Sequence, residues 1–176
     1  MSQGIGTVYG PAVETPIEEY RHHFEINALA PMILFQTFWP LLQKSESPKF
    51  IAVSSRLAST EGLEFWANIP GNALQTFMPS SCYGGSKAML NYTMRRLHFE
   101  HDELISFPLS PGWVQTEQGD LGAAQRGMKK APVTLDDCVK GMLQKACHMG
   151  DRRRSALTDP DRYCHQSGNI RPFHVV

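Results

Sequence analysis

Apolar and polar positions follow two different periods along the chain, one typical of helices and one typical of buried strands. A capping signal with Thr15 as N-cap opens a helix that runs towards Lys44, with bends expected near Pro31 and Pro40. Residues 49–54 then form a short apolar run with β-branched members. After a helix, such a run indicates a buried parallel strand.

The alternation of helices and strands continues towards the C-terminus. A helix is predicted over 83–101 and a second strand over 104–109, which the Pro-Gly pair at 111–112 ends. A further helix begins at 134–137, and 170–176 could supply a last strand. The apolar positions of the helix at 83–101 include Met89, Tyr92, Leu97 and Phe99. This order predicts an α/β fold with a Rossmann-like parallel sheet and helices on both faces.

Composition narrows the classes of function. The 176 residues, 41% of them hydrophobic, are enough for one domain, predicted to span 1–176. Seventeen basic and seventeen acidic residues balance, which argues against nucleic acid or an anionic membrane as the partner. The apolar stretch at 26–42 is interrupted by polar residues and prolines and is short for a membrane span. With no recognisable leader at the N-terminus, we expect a cytoplasmic protein whose partner is a small molecule or another protein.

The cysteines and histidines do not form a metal-binding pattern. No CxxC pair occurs among the four cysteines, which are therefore predicted to be reduced thiols. The adjacent pairs at 22–23 and 164–165 would point apart on a helix or strand rather than converge on one ion. We therefore predict no metal site. The cysteines are Cys82, Cys138, Cys147 and Cys164.

Candidate chemistry stands at the ends of the two predicted strands. In parallel sheets ligands bind outside the carboxyl ends of the strands, where this chain has Ser55 and the serine before Pro111. Tyr83 and Lys87 are four positions apart and share a helix face. A nearby ammonium lowers the pKa of a phenol, so the pair could exchange a proton with a carbonyl or hydroxyl group. The spacing alone also occurs in ordinary amphipathic helices.

Four stretches in order, FEINALAP, FIAVSSRLAS, CYGGSKAMLN and LSPGWVQTE, resemble the short-chain dehydrogenase/reductase family. The resemblance covers most of the chain from Gly4 to about Cys147. The PGWVQT part of the last stretch and a later stretch, APVT, are most similar to the polyketide-ketoreductase branch of fungal secondary metabolism.

The resemblance implies a catalytic tetrad and a role for each member. Tyr83 would be the acid/base, and Lys87 would lower its pKa and hold the ribose of a nicotinamide cofactor. Ser55 would orient the substrate oxygen, and Asn27 would support a water in a proton relay. If a nicotinamide is bound, the residues that contact it would be Pro111, Gly112 and Thr116.

The chain departs from the family pattern in two places. Family members carry a glycine-rich turn after their first strand, and here the tetrapeptide at 3–6 is instead interpreted as the remnant that follows the fourth strand. The first mononucleotide-binding half, with its site for the pyrophosphate, is therefore expected to be missing. Tyr83 also stands 28 positions after Ser55, and this long segment could be a substrate lid or a plug. Its large apolar residues are Phe65, Trp66, Phe77 and Met78.

Three hypotheses of function follow from these features. The favoured one is a cofactor-independent enzyme whose tetrad isomerises, dehydrates or cyclises a polyketide-like carbonyl compound. The first alternative is an NADP(H)-dependent ketoreductase whose missing half is supplied in an unusual way. The second is a non-catalytic interaction protein. Because the strand at 49–54 would be an unprotected sheet edge, we also expect a homo-oligomer that covers it.

Overall fold

The computed structural model of the chain describes residues 11–60, 80–124, 127–151 and 174–175. These residues form two compact units, one that ends at Ser110 and takes in Val175, and one from Pro111 to His174. The predicted remnant at 3–6, the large apolar residues of the segment before Tyr83, and Cys164 lie outside the described residues. The elements are α1 (Ile17–Phe24), a π-helical turn (Glu25–Leu29), α2 (Ala30–Leu42), β1 (Lys49–Val53), a 3₁₀ turn (Arg56–Ala58), α3 (Ser81–Glu100), β2 (Ile105–Ser110), α4 (Glu117–Ala124), α5 (Leu135–Asp151) and β3 (His174–Val175).

The first predicted helix is present in three parts. Its N-cap is Pro16 rather than Thr15, because Pro16 has an extended ψ of 143° and the helical conformation starts only after it. Pro31 has no N–H to donate to the carbonyl of Asn27, four residues back. At this point the helix widens into the π-helical turn, where the N–H of Ala30 reaches the carbonyl of Glu25. The predicted bend near Pro31 therefore takes the form of a π-helical turn.

The parallel pairing of the two predicted strands is confirmed. β1 lies parallel to β2 with Lys49 opposite Ile105 and Val53 opposite Leu109, and the strand order is β1-β2-β3. All of β2 is buried, as expected for a central strand. The prediction that β1 is equally buried is wrong, since it lies at one edge of the described strands and Val53 is half exposed.

The core of the first unit lies between α2, α3 and the sheet. On α3 the buried positions Leu90, Met94 and Leu97 recur at intervals of four and three, the period of one helix face. Phe35 from α2, Ala52 from β1 and Leu104 before β2 complete this core cluster. Of the four apolar positions named on this helix in the sequence analysis, only Leu97 belongs to the core cluster. The exposed ones are Met89, Tyr92 and Phe99.

The described residues of the second unit include one helix that the sequence analysis missed and one that it predicted. The missed helix is the short α4, which begins after Thr116, whose Oγ1 accepts a hydrogen bond from the N–H of Gly119 at 3.1 Å. The predicted helix is α5, and Thr134 caps it by accepting from the N–H of Asp137 and donating to its carboxylate. The predicted start at 134–137 is confirmed.

Several broader predictions concern what the chain does not contain. Within the described ranges, no helix is long and apolar enough to cross a membrane, and no group of three or more His, Cys, Asp or Glu residues could hold a metal ion. Cys82, Cys138 and Cys147 are free thiols. A single domain over 1–176, a cytoplasmic location and a homo-oligomer stay predictions.

Candidate active site

Lys87 is a buried lysine of the first unit, and its pKa is strongly lowered. It lies on α3 with its side chain buried, and its Nζ donates a hydrogen bond to the carbonyl oxygen of Val53 at 2.8 Å. That carbonyl is at the end of β1, so Lys87 ties the helix to the carboxyl end of the strand. Burial lowers the pKa of Lys87 from 10.5 to about 8.

Tyr83 lies one helical turn before Lys87 on the same face of α3. The Nζ of Lys87 is 5.8 Å from the centroid of the Tyr83 ring. A positive charge close to the hydroxyl of a tyrosine favours its phenolate form. The predicted proximity of the two side chains is therefore present in the structure, while their catalytic roles stay a proposal.

Asn27 is connected to Tyr83 through a third residue. Its Nδ2 donates to the Oγ of Ser86 at 3.1 Å, and this hydroxyl donates to the backbone carbonyl of Tyr83 at 2.7 Å. Asn27 and Ser86 are both fully buried. The amide of Asn27 thus fixes the turn of α3 that carries Tyr83, a contact that the expected role in a water relay did not include.

Ser55 has a local structural role at the end of β1. Its Oγ accepts a hydrogen bond from the N–H of Leu57 at 3.2 Å and so caps the 3₁₀ turn. The same turn touches the start of α3 very closely, because a Cβ on Gly84 would lie 2.8 Å from the carbonyl oxygen of Leu57. Only glycine at position 84 allows Tyr83 to sit beside the turn that Ser55 begins.

A second polar contact holds the end of β1 and was missed by the sequence analysis. The Oγ of Ser54, which is fully buried, donates to the Oδ1 of Asn91 at 2.5 Å. Asn91 stands four residues after Lys87, so one face of α3 bonds two successive residues at the strand end, Val53 and Ser54. The only feature of the sequence that could have indicated this contact is the four-residue spacing from Lys87 to Asn91, which places both on one face of the helix.

Two neighbours of the tetrad are also affected by burial. Burial raises the pKa of the Cys82 thiol, so this residue stays protonated at neutral pH and is a poor nucleophile. Burial lowers the pKa of Arg56, the residue after Ser55. The first of these effects argues against Cys82 as the residue that exchanges a proton with a substrate.

The residues predicted to contact a nicotinamide, Pro111, Gly112 and Thr116, lie in the second unit. Gly112 has a φ of 80°, a backbone conformation that favours glycine, directly after β2 has ended. The N–H of Thr116 donates to the carbonyl of Val114 at 2.9 Å, which leads the chain into α4. Their cofactor contacts stay a prediction.

Comparison with known proteins identifies the group to which this arrangement belongs. No family model matches the chain. The norsolorinic acid ketoreductase of Dothistroma septosporum is 32% identical over 171 residues, covering 96% of this chain and 59% of the relative. The norsolorinic acid ketoreductase of Aspergillus parasiticus is 32% identical over 170 residues, covering 96% of this chain and 58% of the relative.

The solved structures give the same grouping. An NADPH-bound carbonyl reductase from chicken fatty liver has a TM-score of 0.64 and 27% identity, covering 82% of this chain and 55% of that one. The chain belongs to the short-chain dehydrogenase/reductase family. The predicted α/β, Rossmann-like fold is thereby confirmed. The chain spans slightly more than half the length of the relatives it matches.

These comparisons correct two expectations about the chemistry. The favoured hypothesis of proton chemistry without hydride transfer is wrong, since the relatives are ketoreductases and the similar structure is a carbonyl reductase. The expectation that no cofactor is used is wrong for the same reason, because that carbonyl reductase has NADPH bound. Both expectations depend on the missing glycine-rich turn. Because the chain spans only part of the length of its relatives, the absence of this turn is not evidence about the reaction.

Proposed function

We propose that the protein is an NADP(H)-dependent ketoreductase that reduces the carbonyl group of a polyketide-like aromatic compound. The observation that carries the proposal is the buried Lys87 ammonium, 5.8 Å from the Tyr83 ring, at the end of a parallel strand. Support for the substrate class comes from the names of the two fungal relatives, and support for the cofactor comes from the NADPH-bound carbonyl reductase.

The donor groups of the first unit fit the nicotinamide end of such a cofactor. An ammonium group has three N–H donors, and the bond to Val53 uses one of them. Lys87 would hold the ribose hydroxyls, which accept such bonds. When bound, NADPH supplies the hydride that reduces the carbonyl carbon.

Tyr83 would supply the proton. As the carbonyl oxygen gains negative charge it becomes basic, and a phenol within hydrogen-bond reach can protonate it. Loss of that proton leaves a phenolate, which the positive charge of Lys87 stabilises. With a pKa of about 8, the ammonium form of Lys87 exceeds the amine form by about tenfold at pH 7. We therefore expect turnover to fall above pH 8, as this charge is lost.

Ser55 and Asn27 would position the reacting groups. The Ser55 hydroxyl would donate to the substrate oxygen and keep it near Tyr83, while its lone pair still accepts from the N–H of Leu57. Asn27 would hold the Tyr83 turn through Ser86.

The direct test is to follow cofactor and ketone together. The purified chain is mixed with NADPH and norsolorinic acid, the compound in the relatives' names, and the near-ultraviolet absorbance of NADPH is recorded while product is analysed by mass spectrometry. We expect one NADPH to be consumed for each ketone reduced. Conversion of the compound without NADPH consumption, or no conversion of this or other aromatic ketones, would contradict the proposal.

A further inference from the structure

His23 is a fully buried histidine on α1, next to the candidate proton donor. Its exposed fraction is 0%, and its ring centroid lies 6.4 Å from that of Tyr83. The two ring planes are nearly perpendicular, at 89°, which is the favoured edge-to-face arrangement of neighbouring aromatic rings. Neither the predicted tetrad nor the proposed mechanism uses this residue.

The orientation of the His23 ring is fixed from its own helix. The Nδ1 atom lies 2.7 Å from the carbonyl oxygen of Glu19. A carbonyl oxygen can only accept, so Nδ1 carries the hydrogen in this contact and the tautomer is set when the ring is neutral. The carboxylate of Glu19 is further away, 3.8 Å from the same nitrogen. The backbone bond therefore holds the ring in one plane.

The same side of the helical segment contacts the start of α3 at two other points. The hydroxyl of Tyr20 lies 2.5 Å from that of Ser81, and Asn27 donates to Ser86. Tyr20, His23 and Asn27 are separated by three and four positions, the spacing of one helical face. His23 lies in the middle of this face. It faces Tyr83, which lies between the two contact points Ser81 and Ser86 on α3.

We propose that His23 is a positioning residue for Tyr83. The flat, immobilised ring of His23 restricts the Tyr83 ring to the orientation that proton transfer requires. The inference rests on the proposed role of Tyr83 in the ketoreductase. Its effect is transmitted by ring packing, so another flat ring should replace it and a branched aliphatic side chain of similar bulk should not. A misplacement of a reacting group by about 1 Å is enough to slow an enzyme severely.

The kinetic test compares three variants. His23→Leu keeps most of the buried volume but removes the flat ring, and we expect kcat to fall about tenfold with KM changed less than about twofold. His23→Phe loses the bond to the Glu19 carbonyl but keeps a flat, buried ring, and because ring packing carries the effect, kcat should recover to within about threefold of the wild type. His98→Leu is the matched control, because His98 on α3 also places Nδ1 near a backbone carbonyl, that of Leu104 at 3.3 Å, and should keep wild-type kcat. Wild-type kcat in folded His23→Leu would overturn the inference.

A spectroscopic test does not depend on turnover. Carbon-13 labelling of the five tyrosines gives ring signals, and the signal of Tyr83 is the one missing from Tyr83→Phe. We expect nuclear Overhauser contacts between the His23 and Tyr83 rings in the wild type, and a Tyr83 signal that shifts in His23→Leu but not in His98→Leu. Absence of these contacts would overturn the inference even if His23→Leu fails to fold. Failure of the proposed function would instead appear as a wild-type chain that shows the contacts but consumes no NADPH.

Discussion

Replacing Lys87 by methionine should make the pH dependence of stability differ from that of the wild type. Burial lowers the pKa of Lys87 to about 8 in the folded chain, from 10.5 in its absence. Between these two pH values the unfolded chain binds more protons at this site than the folded chain does, so the free energy of unfolding rises with pH. Methionine is similar in length, has no charge and contributes no such term.

The size of the effect follows from the two pKa values. The free energy of unfolding gains nothing from the deprotonation of Lys87 below about pH 8. Above that pH the gain grows by at most about 1.4 kcal/mol per pH unit, and it is complete above the pKa of Lys87 in the unfolded chain. Between pH 7 and pH 10 it amounts to about 2–3 kcal/mol. The variant also loses the hydrogen bond to Val53. This loss lowers its free energy of unfolding by a similar amount at every pH, so it does not change how the difference between the two proteins depends on pH.

The assay is urea unfolding followed by far-ultraviolet circular dichroism, for both proteins, at each pH unit from 7 to 10. Other titrating groups are common to the two chains and cancel in the difference. We expect the stability of the wild type relative to Lys87→Met to increase by about 2–3 kcal/mol across this range. A difference that stays constant would show that Lys87 is not desolvated. One that decreases would show that the fold stabilises its charge.

Two further predictions concern the contacts that position the tetrad. Gly84→Ala should lower the free energy of unfolding by about 2 kcal/mol, because the new Cβ would lie 2.8 Å from the Leu57 carbonyl oxygen. Gly85→Ala, whose Cβ meets nothing closer than 3.7 Å, is the control, and an equal loss of melting temperature in both would contradict the argument. Ser54→Ala should cost about 1–2 kcal/mol in urea unfolding, since it removes the buried donor to Asn91. No measurable loss would mean that this bond does not contribute to stability.

The backbone pattern could be predicted from the sequence because it depends on local signals. The unbroken apolar run at 49–54 and the Pro-Gly pair after 104–109 gave both parallel strands to within one residue. The four-residue spacing of Tyr83 and Lys87 correctly placed their side chains near one another. Such signals lie within one element and need no knowledge of its neighbours.

The contacts between elements could not be predicted in the same way. Ser86 and Asn91 look like ordinary polar helix residues, and only the fold shows that they bond Asn27 and Ser54. The apolar residues of α3 also do not reveal by themselves which face is buried, since Tyr92 is 70% exposed. Burial depends on what packs against a helix, which a single amphipathic segment does not specify.

The chemistry was misjudged for another reason. A missing phosphate-binding turn was interpreted as a missing cofactor, although the matched region covers only 59% of the Dothistroma relative. The residues that hold a nicotinamide ribose and those that hold a pyrophosphate lie in different parts of a Rossmann-like fold. The absence of the pyrophosphate-binding residues from a stretch of sequence therefore does not argue against the presence of residues that hold the ribose.

The most direct test of the central claim compares Tyr83→Phe with Tyr92→Phe in the NADPH-dependent reduction of an aromatic ketone. Both changes remove one phenolic hydroxyl from α3, but Tyr92 is exposed and lies more than two helical turns beyond Tyr83. If Tyr83 delivers the proton, Tyr83→Phe should lower kcat by about 10²–10⁴-fold, while Tyr92→Phe keeps the wild-type value. Wild-type turnover in a folded Tyr83→Phe chain would contradict the account.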